Sequence, residues 1–254
     1  MLVDTHAHLQ WTSFNKDREK VISHARKAGV EHIVNIGFNL GGSRKAVELA
    51  EKYNGLYAAV GIHPHNANQL DQNVLDELRE LSENPKVVAI GEIGLDYYRN
   101  LSPRETQKKA FEAQLFLAEE LKLPAVIHNR EAHIDTLKMI SKFEGKIGGI
   151  MHCFSGNREM AERYVRSDFY ISFAGPITFP NSHELQKIAK WTGLNKILLE
   201  TDSPWLAPQN KRGKRNEPAF LLFIAERIAE LKGISVDELA EATTENAREV
   251  FQLP

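Results

Sequence analysis

The sequence predicts an α/β fold, a (β/α)8 TIM barrel. Three observations carry this. Apolar β-rich runs alternate with amphipathic stretches from end to end. Eight strand–helix units fit into roughly 230 residues. No glycine-rich phosphate turn follows the first strand, as a doubly wound open sheet would normally show. Strands are predicted at Leu2–His8, His32–Gly37, Tyr57–Ile62, Val87–Ile93, Ala125–His128, Gly149–Cys153, Tyr170–Phe173 and Lys196–Glu200. Helices are predicted near Lys16–Ala28, Ser43–Tyr53, Val74–Ser82, Arg104–Leu121, Ile134–Lys142, Arg158–Ser167, His183–Thr192 and Ala219–Lys232. Gly29 and Gly233 read as helix stops, and Ser102-Pro103 as an N-cap and first helical residue. The tail, Ser235–Phe251, reads as two short helices, the first opened by a capping box from Ser235 to Glu238. No linker, low-complexity segment or internal repeat beyond the βα unit is visible, so residues 1–254 are expected to form one domain.

Composition narrows the setting. The chain has 254 residues, 42% hydrophobic and 26% charged, with 32 basic against 34 acidic residues and a net charge of −2. Such a chain is no polycation, so any polyanion must be met by a local patch. Cys153 is the only cysteine, which excludes an internal disulfide and a cysteine-based metal knot. No basic segment followed by an apolar run opens the sequence, and no apolar run approaches the roughly 18 residues of a membrane span. A reducing, cytoplasmic setting is the expectation.

The most informative stretch is Asp4-Thr5-His6-Ala7-His8. In a regular strand the side chains of Asp4, His6 and His8 share one face. Two imidazoles on one rigid strand end suit a divalent metal. A barrel places its chemistry at the C-terminal ends of its strands. Those ends carry His6 and His8, then His63 just past strand three, Glu92, His128, His152, and Glu200 with Asp202. Taken singly, a strand-end histidine is more often structural than a ligand, and Asp202 could cap a helix. Glu92 follows the wholly apolar Val87-Val88-Ala89-Ile90, which argues for a buried carboxylate. Glu200 is open to three readings: ligand, orienter of a histidine, or interior acid paired with a base. The joint pattern is a His/carboxylate metal site.

The motifs DTHAHL at 4–9, GIHPH at 61–65, GEIGLDYY at 91–98, IHNR at 127–130, HCFSG at 152–156, ETDSPWLAP at 200–208 and RGKRNEP at 212–218 span nearly the whole chain. In this order the chain resembles the TatD-like metal-dependent hydrolases, a branch of the amidohydrolase superfamily of metallo-dependent hydrolase barrels. The resemblance implies a two-metal site, with His6, His8 and Asp202 on one ion, His128 and His152 on the other, and Glu92 bridging. The bridging lysine of related amidohydrolases has no counterpart, since Lys86 lies too early.

Imidazoles with carboxylates suit Zn²⁺, Mn²⁺ or a similar ion better than Mg²⁺ alone. Two ions roughly 3.5–4 Å apart would supply hydroxide at neutral pH. Asp202 is the expected proton acceptor, and His63 is expected to contact the scissile group. Lys211, Arg212, Lys214 and Arg215 lie in the loop after strand eight, where barrels often bind phosphate. Arg212 and Lys214 are therefore expected to hold the phosphates of a nucleic-acid substrate. Trp11, Phe14, Tyr97, Tyr98, Phe154, Phe179 and Trp205 fall on the same face, as stacking or packing residues. Cys153 is expected to turn into the core. The resemblance implies a deoxyribonuclease, an exonuclease included, and the lack of a wide basic channel points to single-stranded or frayed DNA ends. One competing reading is hydrolysis of a small cyclic amide, lactone or aminoacyl ester. Another is a non-catalytic, metal-stabilised binding scaffold.

Overall fold

A computed structural model describes residues Met1–Pro254. Eight parallel strands follow one another around a single sheet in sequence order. They are β1 (Leu2–Ala7), β2 (Val30–Ile36), β3 (Leu56–Val60), β4 (Val87–Asp96), β5 (Ala125–Arg130), β6 (Gly149–Met151), β7 (Phe169–Phe173) and β8 (Ile197–Leu199). Between them run α1 (Arg18–Lys27), α2 (Leu40–Lys52), α3 (Gln72–Leu81), α4 (Arg104–Leu121), α5 (His133–Ile140), α6 (Arg158–Arg166) and α7 (His183–Trp191). After β8 come α8 (Leu221–Lys232) and α9 (Val236–Phe251). The predicted barrel and its alternation of strand and helix are present.

Several predicted boundaries move for local reasons. α2 and α3 start earlier than predicted because Asn39 and Asp71 cap them, their carboxamide and carboxylate oxygens accepting from Gly42 N and Val74 N. Ser102 does not cap α4. Pro103 holds the cap position, and the Ser102 hydroxyl donates to His65 O at 3.1 Å. The tail is one helix, not two. No glycine or proline interrupts 236–251, and Thr243 and Thr244 turn their hydroxyls to Leu239 O and Met1 O. The predicted cap at its start is there, Glu238 N donating to Ser235 Oγ at 3.1 Å.

A cluster of Val3, Val34, Ala59, Val126, Ile150, Tyr170 and Leu198 draws on nearly every strand, with Ala89 from β4, and forms the barrel interior. Ala247, Phe251 and Leu253 join it from the C-terminal segment and close it at the N-terminal ends of the strands. A larger cluster binds the outer strand faces to the helices. Counting on by two from Val126, Ile150 and Leu198 leads to His128, His152 and Glu200, which therefore top the interior.

His6 and Glu92 get there differently. β1 advances three residues from Asp4 to Ala7 while β2 advances two, from Ile33 to Asn35. β4 advances two residues from Gly91 to Ile93 while β5 advances one, from Val126 to Ile127. Each is a one-residue bulge, the device that re-aims a side chain beside a site. Plain alternation from Asp4, as the sequence predicts, is thus corrected: His6 turns inward through the bulge and Asp4 does not share its role. The β4 bulge depends on glycine. Gly94 has φ +139°, and a Cβ there would lie 2.0 Å from His128 O.

Asp4 instead closes the barrel. Its carboxylate accepts from Thr201 N at 2.9 Å and Thr201 Oγ1 at 2.6 Å. Asp202 N donates to His6 O and His8 N to Ser203 O, each at 2.8 Å, across the seam between β1 and the end of β8. Asp4→Ala would strand two buried donors on Thr201, a loss of roughly 2–6 kcal/mol in unfolding free energy, at about 1–3 kcal/mol for each unsatisfied group. Asp4→Asn keeps an acceptor and is expected to cost less than half of that. Urea unfolding of the two variants checks this, and an Asp4→Ala midpoint equal to wild type would contradict it.

Candidate metal centre

Glu92 stands at the middle of the histidines. Its Oε2 lies 3.5 Å from His6 Nε2 and 3.8 Å from His8 Nε2. Its Oε1 lies 2.8 Å from His128 Nδ1, and 3.5 Å from both His63 Nε2 and His152 Nε2. One oxygen therefore faces each group of imidazoles. Asp202 Oδ1 completes the first group at 3.8 Å from His6 Nε2 and 3.5 Å from His8 Nε2, and the two Nε2 atoms are 3.1 Å apart.

These separations suit a metal. Zinc-type bonds of about 2.0–2.1 Å, arranged tetrahedrally, put neighbouring donors about 3.4 Å apart. His6, His8, Glu92 and Asp202 are spaced in that way. Mutually close donor groups also form from His63, Glu92 and His128, and from His6, His152 and Asp202. The donors are imidazole nitrogens and carboxylate oxygens, a set for Zn²⁺, Mn²⁺ or a similar ion.

All six residues predicted as ligands come together. The same Glu92 oxygen, Oε1, faces His128 and His152, the pair expected on the second ion. His152 stacks on His6 with ring centroids 3.6 Å apart, whereas its ring is 6.1 Å from that of His128. His63, predicted to touch the scissile group, stands beside His128, with centroids 4.5 Å apart, and its Nε2 lies 3.5 Å from Glu92 Oε1.

The surroundings fix ring orientation. His8 Nδ1 donates to Ile36 O at 2.8 Å, which leaves the lone pair on Nε2, towards Glu92 and Asp202. His128 Nε2 lies 3.2 Å from Asp96 Oδ2, so its Nδ1 turns to Glu92. Asp96 shares the same oxygen with His65 Nε2 at 2.8 Å. Glu200 Oε1 accepts from Cys153 N at 2.8 Å and lies 2.9 Å from His152 Nδ1. Of the three readings left open for Glu200, this is the orienter of a histidine.

Charge is arranged to match. Burial pushes the Glu92 carboxyl up, but His63, His152 and His128 together hold it well below the usual carboxylate range. Burial, with His152 beside it, lowers His6 to about 3, so its imidazole is neutral and available as a donor. Burial opposes a charged His152, yet Glu200 and Glu92 raise it to about 10. Against the same burial, Asp96 and Glu92 likewise raise His128, so both rings can take positive charge when no cation answers the carboxylates. His6 Nδ1 and Glu200 Oε2 have no hydrogen-bond partner although both are buried. Imidazole nitrogens and carboxylates converging at 3.1–3.8 Å in a buried site are what a bound cation would satisfy.

The loop after β8 is less free than its sequence suggests. Arg215 is bound to Asp17, at 2.6 and 3.0 Å, and to Ser13 O. Lys211 lies over the rings of Phe220 and Phe223. Arg212, over Phe179 at 4.7 Å, and Lys214 are exposed. The predicted four-cation patch is therefore reduced to the two cations singled out for phosphate.

Of the aromatics, Phe14 and Phe154 are core residues. Tyr97 donates to Asp135 at 2.6 Å. Trp11 and Trp205 do border the site, with Phe38, which the sequence reading missed. Asp96 and His65 were missed as partners of His128. Asp96 and His65 sit inside the quoted motifs and Phe38 outside them, and only the fold brings their side chains to the histidines.

Comparison with known proteins agrees with this geometry. Residues 3–252 match the family model for TatD related DNase. The chain is 45% identical over 255 residues to an uncharacterised metal-dependent hydrolase, YabD, of Bacillus subtilis, covering all of both chains. It is 39% identical over 259 residues to the 3′-5′ ssDNA/RNA exonuclease TatD of Erwinia tasmaniensis, covering 99% of this chain and 100% of that one. It superposes on the crystal structure of the TatD homologue YjjV of Escherichia coli with a TM-score of 0.94 and 31% identity, covering 100% and 98% of the two chains. A barrel with its histidines and carboxylates at the strand ends, and relatives matched along their full length, lead to one conclusion: this chain is a metal-dependent hydrolase of the TatD related DNase family.

Proposed function

We propose that this chain hydrolyses phosphodiester bonds in DNA, at single-stranded or frayed ends, with two divalent ions held on either side of Glu92. The observation that carries the reading is the division of the Glu92 carboxylate, one oxygen to each imidazole group. His6, His8 and Asp202 would hold the first ion and His128 and His152 the second, with Glu92 common to both. When bound, the ions acidify water and offset charge on the phosphoryl group.

The protein's own residues divide the remaining work. Asp202, with 14% of its side chain exposed against 6% for Glu92, is the carboxylate that water reaches. It would accept the proton of the attacking water. His63, 10% exposed at the edge of the second group, would steady an oxygen of the scissile group. Arg212 and Lys214 would hold phosphates farther along the strand, without reading sequence. A small amide, lactone or aminoacyl ester would give these two exposed cations nothing to bind. The exonuclease name of the Erwinia relative supports the same choice and adds the 3′ end as the expected point of attack.

Asp202→Asn is expected to lower hydrolysis of a labelled single-stranded oligonucleotide by about 10²–10⁴-fold, the usual worth of a general base, while the protein still folds and binds metal. Glu92→Gln is expected to lower bound metal itself, read by plasma mass spectrometry of the purified protein. Wild-type rates in either variant would contradict the assignment. Arg212→Ala with Lys214→Ala should raise KM for the oligonucleotide and flatten its salt dependence by about 1.4 in log–log slope, at about 0.7 per phosphate contact on a single strand. An unchanged slope would remove both residues from the substrate path.

A further inference from the structure

We propose that the indole of Trp205, backed by Trp11 and Phe38, is a stacking site for the unpaired base next to the scissile phosphate. This rests on the phosphodiesterase reading above and adds to it the part of the nucleotide that is bound. Trp205 is 41% exposed at the mouth of a site in which His6, His8, His63 and His152 are buried. It follows Asp202 by three residues, and its ring meets that of His8 at 5.1 Å and 67°. Trp11 meets it at 5.0 Å and 68°, and Phe38 in turn supports Trp11 at 5.2 Å.

These contacts are edge-on. They hold the indole in place, no ring stacks parallel on it, and part of it stays open to solvent. The nearby cations do not cover it, since Lys211 and Arg212 lie over Phe220, Phe223 and Phe179. The backbone below is rigid: Trp205 N donates to Asp202 O at 3.0 Å, and Asn216 Nδ2 donates to Trp205 O at 2.6 Å. A large, held, half-open aromatic face beside a buried donor set is the arrangement that binds bases by stacking. Stacking has no donor–acceptor pattern, so all bases are accepted. A base still paired inside a duplex has no free face to offer. The site therefore selects single strands or frayed ends, which the two exposed cations do not.

The test uses metal-loaded protein and short single-stranded oligonucleotides, either complete or lacking the base on one side of the cleaved bond. Tryptophan fluorescence and cleavage kinetics are read in parallel. The complete strand should quench the emission of wild type and the abasic strand should not, and Trp205→Phe should lose most of the quench. Trp205→Ala should raise KM for the complete strand about 10-fold and erase the difference between complete and abasic strands. Trp205→Phe should recover most of that KM, which a merely structural loss would not predict. Cleavage by wild type with the same KM for complete and abasic strands overturns the stacking site and leaves the phosphodiesterase reading intact. Base-dependent quenching with no cleavage does the reverse. Stronger quenching by a phenylalanine ester than by a nucleotide overturns the proposal in favour of an aminoacyl occupant.

Discussion

One buried carboxylate sets the terms for the whole upper face of this barrel. Glu92 is 4% exposed and meets imidazoles on both sides. Alone, a carboxylate so buried would be driven to protonate. The surrounding histidines reverse that and keep it ionised. Its two oxygens thereby become fixed, separate anchors, and the histidines that face them acquire fixed orientations. The carboxylate reaches this place because β4 carries an extra residue there, between glycines that let the backbone pass close to β5.

The seam of the barrel serves the same end. β1 and β8 do not share a long ladder. They meet through an isolated bridge between Ala7 and Ser203 and through the Asp4–Thr201 contacts. That seam ties the backbone of His6 and His8 directly to that of Asp202. The bulge in β1 then turns His6 inward. First and last strands so contribute adjacent donors, although nearly 200 residues separate them in the chain. A fold that closes on itself makes this cheap, since no long loop has to be ordered to bring them together.

Much of this is legible in the chain alone. Strand–helix alternation gives the barrel, because the buried strands are apolar runs and the helices are amphipathic. The residue types at the strand ends give the candidate donors, since histidines and acids recur there where a buried strand would otherwise stay apolar. Two kinds of information are not local and escape. Bulges depend on how one strand registers against its neighbour, so alternation misplaces Asp4 and cannot explain His6. Partners such as Asp96 for His128, Asp17 for Arg215 and Phe38 for Trp11 are set by packing between distant elements. The basic loop shows the cost of reading charge without contacts: one of its four cations is bound to an acid and another lies over two rings. The break predicted within the tail fails for the opposite reason, since a helix continues wherever nothing stops it.

The central claim is that Glu92 is shared by two ions, one on each oxygen. Anomalous diffraction from crystals grown with Mn²⁺ or Zn²⁺ tests it most directly. The account predicts two peaks, one flanked by His6, His8 and Asp202 and the other by His128 and His152, both within bonding distance of Glu92. A single peak bound away from Glu92, or none between the histidines, would contradict it.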